Sequence, residues 1–168
     1  MTRALMVSMP VFFGLLLLAP SVRAGTLVEF EGGIGVDPVS RADVVGITTV
    51  AVRNIVREVP PGAQPWVIER FKAKVKDDGR SKAEGKGLVQ AGGNSIGTPG
   101  AVGMVGATLF CGTSPHSSDP VPLEPDGDFK IKDTLDPLPL EDPCVTPVLL
   151  IRAGSSAGPW IAAGIPED

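Results

Sequence analysis

Between positions 70 and 86 seven basic residues, Arg70, Lys72, Lys74, Lys76, Arg80, Lys82 and Lys86, all fall at even numbers. On an extended chain a period of two puts them on one face, and a row of cations is chemistry for attracting an anion. Two other stretches carry residue types that can react. Gly93-Asn94-Ser95-Ile96-Gly97 fits the G-x-S-x-G frame that presents a serine nucleophile, and His116 is the only histidine to serve it as a base. That pairing, an exported serine hydrolase using Ser95 and His116, is the alternative reading of the chain. Its context argues against it: Thr98-Pro99-Gly100 does not open a helix, and no Asp or Glu stands between Ser95 and His116 to complete the order of that triad. His116, with only Asp119 near it in sequence, reads as a solvated loop histidine rather than a metal ligand. Glu124, Asp126 and Asp128 alternate around Gly127 and offer oxygen ligands, but the full calcium-loop spacing is missing and Asp126-Gly127 already accounts for itself as a turn. The expectation is of no catalytic residue, no metal and no cofactor.

The element that must carry the cations is a β-hairpin over Trp66 to Val89. Its odd positions Val67, Phe71, Ala73 and Val75 are apolar, so one face turns inward while the basic face turns to water. Asp77, Asp78 and Gly79 supply a three-residue loop with Gly79 left-handed. This sets Lys76 against Arg80, Lys74 against Lys82, Lys72 against Glu84 and Val75 against Ser81. A two-residue loop would slip the register and mix the faces. Glu69 is expected on the opposite face, with only Glu84 interrupting the basic one. Outward lysines keep strand surfaces soluble. Like charges in register nonetheless weaken the pairing, so their clustering invites a ligand.

The bulk of the chain fits an exported domain. Met1 to Ala24 has a positive start at Arg3, an apolar run from Val11 to Ala19, and Val22-Arg23-Ala24 before a cleavage point; it reads as a signal peptide, residues 1–24. The run is too short to favour a retained membrane span. Cleavage removes Arg3 and Arg23, taking the formal net charge from −4 to −6, which argues against nucleic-acid binding. Residues 25–168 suit one domain with its own core. Cys111 and Cys144 are the only cysteines, and in a secreted or periplasmic setting they are expected to form one structural disulfide.

Along the chain, Thr26 to Phe30 reads as a first strand ended by Gly32, Gly33 and Gly35. Asp43 to Val59 is rich in β-branched residues and reads as strand, although Val52, Ile55, Val56 and Val59 also fit a helical spacing. Gln90 to Gly100 reads as a flexible connector. Ala101 to Cys111 carries no charge on either face and reads as a strand buried on both. From Thr113 to Pro147 the chain is Pro-rich, with Val121 to Leu123 and Phe129 to Ile131 flanking a turn at Pro125-Asp126-Gly127. Pro147 to Arg152 and Pro159 to Ile165 supply the last strands.

Gly106-Ala107-Thr108-Leu109, then Pro125-Asp126-Gly127-Asp128-Phe129-Lys130-Ile131, then Val148-Leu149-Leu150-Ile151 together resemble prealbumin-like or carboxypeptidase-regulatory-like modules. The likeness runs roughly from Ala101 to Ile165. It departs in the Pro-rich insertion with Cys144 and in lacking a Pro-Gly-Tyr corner before the final strand. In general look the chain is also similar to small exported bacterial proteins. What the resemblance implies is architectural, a β-sandwich acting as a scaffold or interaction domain; with the Pro-rich loop and the disulfide read from the residues, the expected fold is an all-β, single Ig-like or prealbumin-like β-sandwich with a Pro-rich loop and one disulfide. The expected function is a secreted or periplasmic, non-enzymatic binding module. Its basic hairpin face would dock an anionic envelope component or an acidic protein; a purely structural domain would bind nothing.

Overall fold

A computed structural model describes residues 24–167; the expected signal peptide lies outside them except for Ala24. Among the described residues every regular element is a strand. Nine of them form one sheet. In sheet order these are Val121–Pro122 (β10), Met104–Cys111 (β8), Val148–Ala153 (β12), Trp160–Pro166 (β13), Thr26–Gly35 (β1), Arg70–Lys76 (β5), Arg80–Lys86 (β6) and Phe129–Thr134 (β11). Ser114–Ser117 (β9) also pairs with β8. The sheet curls until its two ends meet, where the Ser117 and Asp136 backbones exchange hydrogen bonds of 2.7 and 2.9 Å. All-β class and the single disulfide thus stand, in one continuous curled sheet.

Alternation builds the β5–β6 hairpin. Phe71, Ala73 and Val75 are buried, as are Ser81, Ala83 and Gly85 opposite them, while Arg70, Lys72, Lys74, Arg80, Lys82 and Lys86 are exposed. The pairs Lys74–Lys82, Lys72–Glu84 and Val75–Ser81 form as the sequence predicts, extended by Arg70–Lys86. Gly79 has φ +83°, and its amide donates to the Lys76 carbonyl to close the loop. Gly85 is required for another reason: a Cβ there would lie 2.1 Å from the Phe129 ring, which packs on the bare backbone beside Phe71.

Upstream of Arg70 the alternation fails. Trp66–Val67 (β4) leaves the hairpin and pairs with Val89–Gln90 (β7), so Trp66 is buried and Val67 is half exposed, the reverse of the expected phase. The strand breaks at Ile68-Glu69, where the Glu69 amide donates to Lys86 O. Glu69 therefore sits beside Arg70, 3.5 Å from it, rather than on an inner face.

Two further boundaries differ. The first strand does not end at Phe30. It bulges between Phe30 and Gly33 and runs on to Gly35, so that β1 holds β5 along residues 26–31 and β13 at Phe30 and along residues 33–35. The stretch read as one strand from Asp43 to Val59 is broken by a turn at Gly46-Ile47. Val39–Val45 (β2) and Thr48–Arg53 (β3) form a two-stranded arm whose Val44, Val45 and Ile47 face water. Val56 and Val59 then close a separate tight turn.

The other half of the sheet follows a different pattern. From Val105 to Cys111 every residue of β8 is buried, as expected of a strand without charge on either face, and Leu149 to Arg152 of β12 are buried as well. Their second cover is the chain that the sequence marks as Pro-rich. It is no single loop, since β9, β10 and β11 lie within it, and Cys111 to Cys144 ties it down with Cα atoms 4.8 Å apart.

Candidate functional site

Partners across neighbouring strands share a face, so the charged face can be read as rows running over β1, β5, β6 and β11. One row is Glu31–Lys72–Glu84–Lys130. Its signs alternate. Lys72 Nζ lies 2.7 Å from Glu31 and Lys130 Nζ 2.5 Å from Glu84. The Glu31 hydrogen bond and charge raise the Lys72 ammonium above its usual value, and the Lys130 hydrogen bond and charge lower the Glu84 carboxyl.

The next row is Glu29–Lys74–Lys82–Lys132. Glu29 pairs with Lys74. Lys82 and Lys132 stand side by side, and among the described residues no carboxylate is within ion-pair distance of either, or of Lys76. Together with Arg80, which Asp78 holds at 2.6 Å, these side chains border a groove of about 590 Å³ that Asp133 and Thr134 also line. Cationic excess is therefore concentrated at one end of the predicted face. Of its seven residues, Lys72 and Lys74 are paired with β1, Lys86 with Asp128 at 3.6 Å, and Arg70 and Arg80 with sequence neighbours. Lys76 and Lys82 remain.

Lys130 and Lys132 belong to the same face and were not in the predicted set. The alternation Phe129-Lys130-Ile131-Lys132 was the local signal for them. That β11 lies beside β6 is a long-range fact with no local signal. With these two, nine of the chain's fifteen basic residues lie on β5, β6 and β11.

The remaining candidates are placed as follows. Ser95 sits in a hydrogen-bonded turn in which Gln90 N donates to Thr98 O and Gly97 N to Gln90 O, so the connector has a defined path. His116 is not a solvated loop residue: it is in β9, 3% exposed, with Nδ1 2.5 Å from Pro137 O and Nε2 2.9 Å from Glu141 Oε2. The Pro-rich segment, folded back by the disulfide, buries it. These two partners occupy both ring nitrogens, and no hydrogen bond joins His116 to Ser95 among the described residues. Glu141, hydrogen-bonded by the Ser114 hydroxyl and by His116, is held down to about 2. The carboxylates around Gly127 serve the backbone: Asp126 accepts from Asp128 N, and Asp128 accepts from Gly87 N. Among the described residues no helix is long and apolar enough to cross a membrane.

No family model matches the chain, and neither a curated protein nor a solved structure matches it.

Proposed function

We propose that the chain is an exported, non-enzymatic binding module that docks an anionic component of the cell envelope against Lys76, Lys82 and Lys132, with Lys74 and Arg80 at the border. One observation carries this reading. Lys82 and Lys132 are adjacent like charges in register, without an ion-paired carboxylate among the described residues, on a sheet whose neighbouring row is neutralised pair by pair. Such a placement weakens strand pairing slightly and lowers the cost of bringing up an anion. The disulfide agrees with an oxidising compartment. A scaffold role, as the prealbumin-like resemblance implies, is the same reading without the ligand.

A carboxylate polysaccharide such as alginate is the first probe, titrated over a salt series. Binding that fades as salt rises is expected, because exposed charges act through a screened field. Capture of an acidic protein but not of alginate would reassign the partner, and no salt-sensitive binding of either would leave only the structural role.

A further inference from the structure

On the opposite half of the molecule a cavity of about 660 Å³ opens on the outer face of β8, β9 and β12. Thr108 pairs with Leu150 and with Ser117, and Phe110 with Pro115, so these side chains share that face. Arg152 belongs to the same face and lines the cavity. The segment Arg57 to Pro60 forms the facing wall.

Arg152 is out of place in an apolar strand. It is 7% exposed, and among the described residues its side chain makes one hydrogen bond, from Nε to Gly158 O at 2.5 Å. No carboxylate lies within ion-pair distance of it among the described residues. Burial pulls its guanidinium below the ordinary arginine value with nothing to offset it. No fully buried side-chain nitrogen or oxygen among the described residues lacks a partner, so the two Nη nitrogens reach solvent, and the cavity is where that solvent is. Burying a guanidinium without a counter-charge is costly, and a planar fork with free donors matches a carboxylate in shape as well as sign.

The facing wall supplies an independent sign. Val56 and Val59 exchange backbone hydrogen bonds of 3.1 and 2.8 Å, leaving Arg57 and Glu58 as a two-residue turn with φ of +48° and +64°. Turns of that kind favour Asn-Gly, and left-handed non-glycine residues store strain that tends to collect at binding sites. Both residues line the cavity, as do the apolar Val59, Phe110 and Pro115. The acidic residues of the lining, Glu58, Asp119 and Asp136, are exposed, so water screens them more fully than it screens the buried Arg152.

We propose that this cavity binds a small organic carboxylate with an apolar body, the carboxylate meeting the Arg152 guanidinium and the body lying against Val59, Phe110 and Pro115. The Thr108 and Ser117 hydroxyls, 3.0 Å apart, add hydrogen bonding beside it. The site is separate from the cationic groove and stands or falls without it.

Calorimetric titration of the full chain with phenylacetate, benzoate and hexanoate, each set against its primary amide, tests this. The acids should bind at least about tenfold more tightly than the amides, the factor a charge-assisted hydrogen bond contributes. Arg152→Met, which keeps the stem and removes the charge, should bring the best acid down to the level of its amide. Lys82→Glu should leave acid binding unchanged. Equal binding of acid and amide, full binding by Arg152→Met, or no acid binding at millimolar concentration overturns the proposal. If Arg152→Met does not fold, acid against amide on the unaltered chain decides the matter alone.

Discussion

Lys82 and Arg152 are cations on the same curled sheet, and they live in opposite circumstances. Around Lys82 the strands alternate, so one face packs on the core and the other meets water. Around Arg152 the strands are apolar throughout, so chain covers both faces. An exposed ammonium is worth little alone and acts with its neighbours through a field that salt screens. A covered guanidinium acts singly, through bonds aimed at one place. The charged half therefore suits a polymer or a surface, while the covered half suits one small molecule.

Truncations should break the comparison most visibly. Leu150→Ala, in the doubly covered half, removes a fully buried side chain and should cost about 3 kcal/mol or more in urea unfolding. Lys82→Ala should stay within about 0.5 kcal/mol. Similar costs for the two would mean that the cover over β8 and β12 contributes nothing. Next comes the staple that holds this cover. Cys144→Ser opens a link across a sequence separation of 33 and should lose roughly 3 to 4 kcal/mol on the chain-entropy account. The loss should appear in oxidising buffer and vanish when both proteins are reduced. Identical melting in oxidising buffer would show that the link adds no stability.

Acid sharpens the same contrast. Glu141 falls from its ordinary 4.5 to about 2, through the Ser114 hydrogen bond first and His116 second. A depressed carboxyl stabilises the fold above its unfolded value, and that stabilisation is lost as pH falls through the folded one. Glu141→Gln should therefore be less stable than the unaltered chain at neutral pH, with the gap closing between pH 4.5 and 2. A gap that stays constant over that range would remove Glu141 from the account.

The hairpin was legible because two local signals agreed: alternation from Arg70 to Lys76, and Asp77-Asp78-Gly79 at the only place where the loop keeps the faces apart. The same rule misplaced Val67, because the chain changes sheets at Ile68-Glu69 and the phase restarts. Gly46 lay unread inside a β-branched run, whose composition gives strand but not the number of strands. The cationic cluster was half visible. Lys76 and Lys82 were in the row, but which lysines are neutralised depends on Glu29 and Glu31 of β1, and which are crowded depends on Lys132 of β11. Both are neighbours only after the sheet has formed. His116 was misjudged for a similar reason, since its cover comes from Pro137 and Glu141 across a disulfide-closed loop. Arg152 carries a local signal of its own, a single charge inside the apolar run from Val148 to Ala153.

The smallest expected stability change belongs to the decisive experiment. Lys82→Glu turns the row Lys74–Lys82–Lys132 into alternating signs and should stabilise the fold by a few tenths of a kcal/mol. Lys72→Glu spoils a row that already alternates and should destabilise it by about as much. Affinity for alginate, measured beside the melting temperature of each variant, tests the central claim. Lys82→Glu should raise the melting temperature while weakening alginate binding at least about tenfold. Alginate binding unchanged in that variant, or lost equally in Lys72→Glu, would contradict that claim.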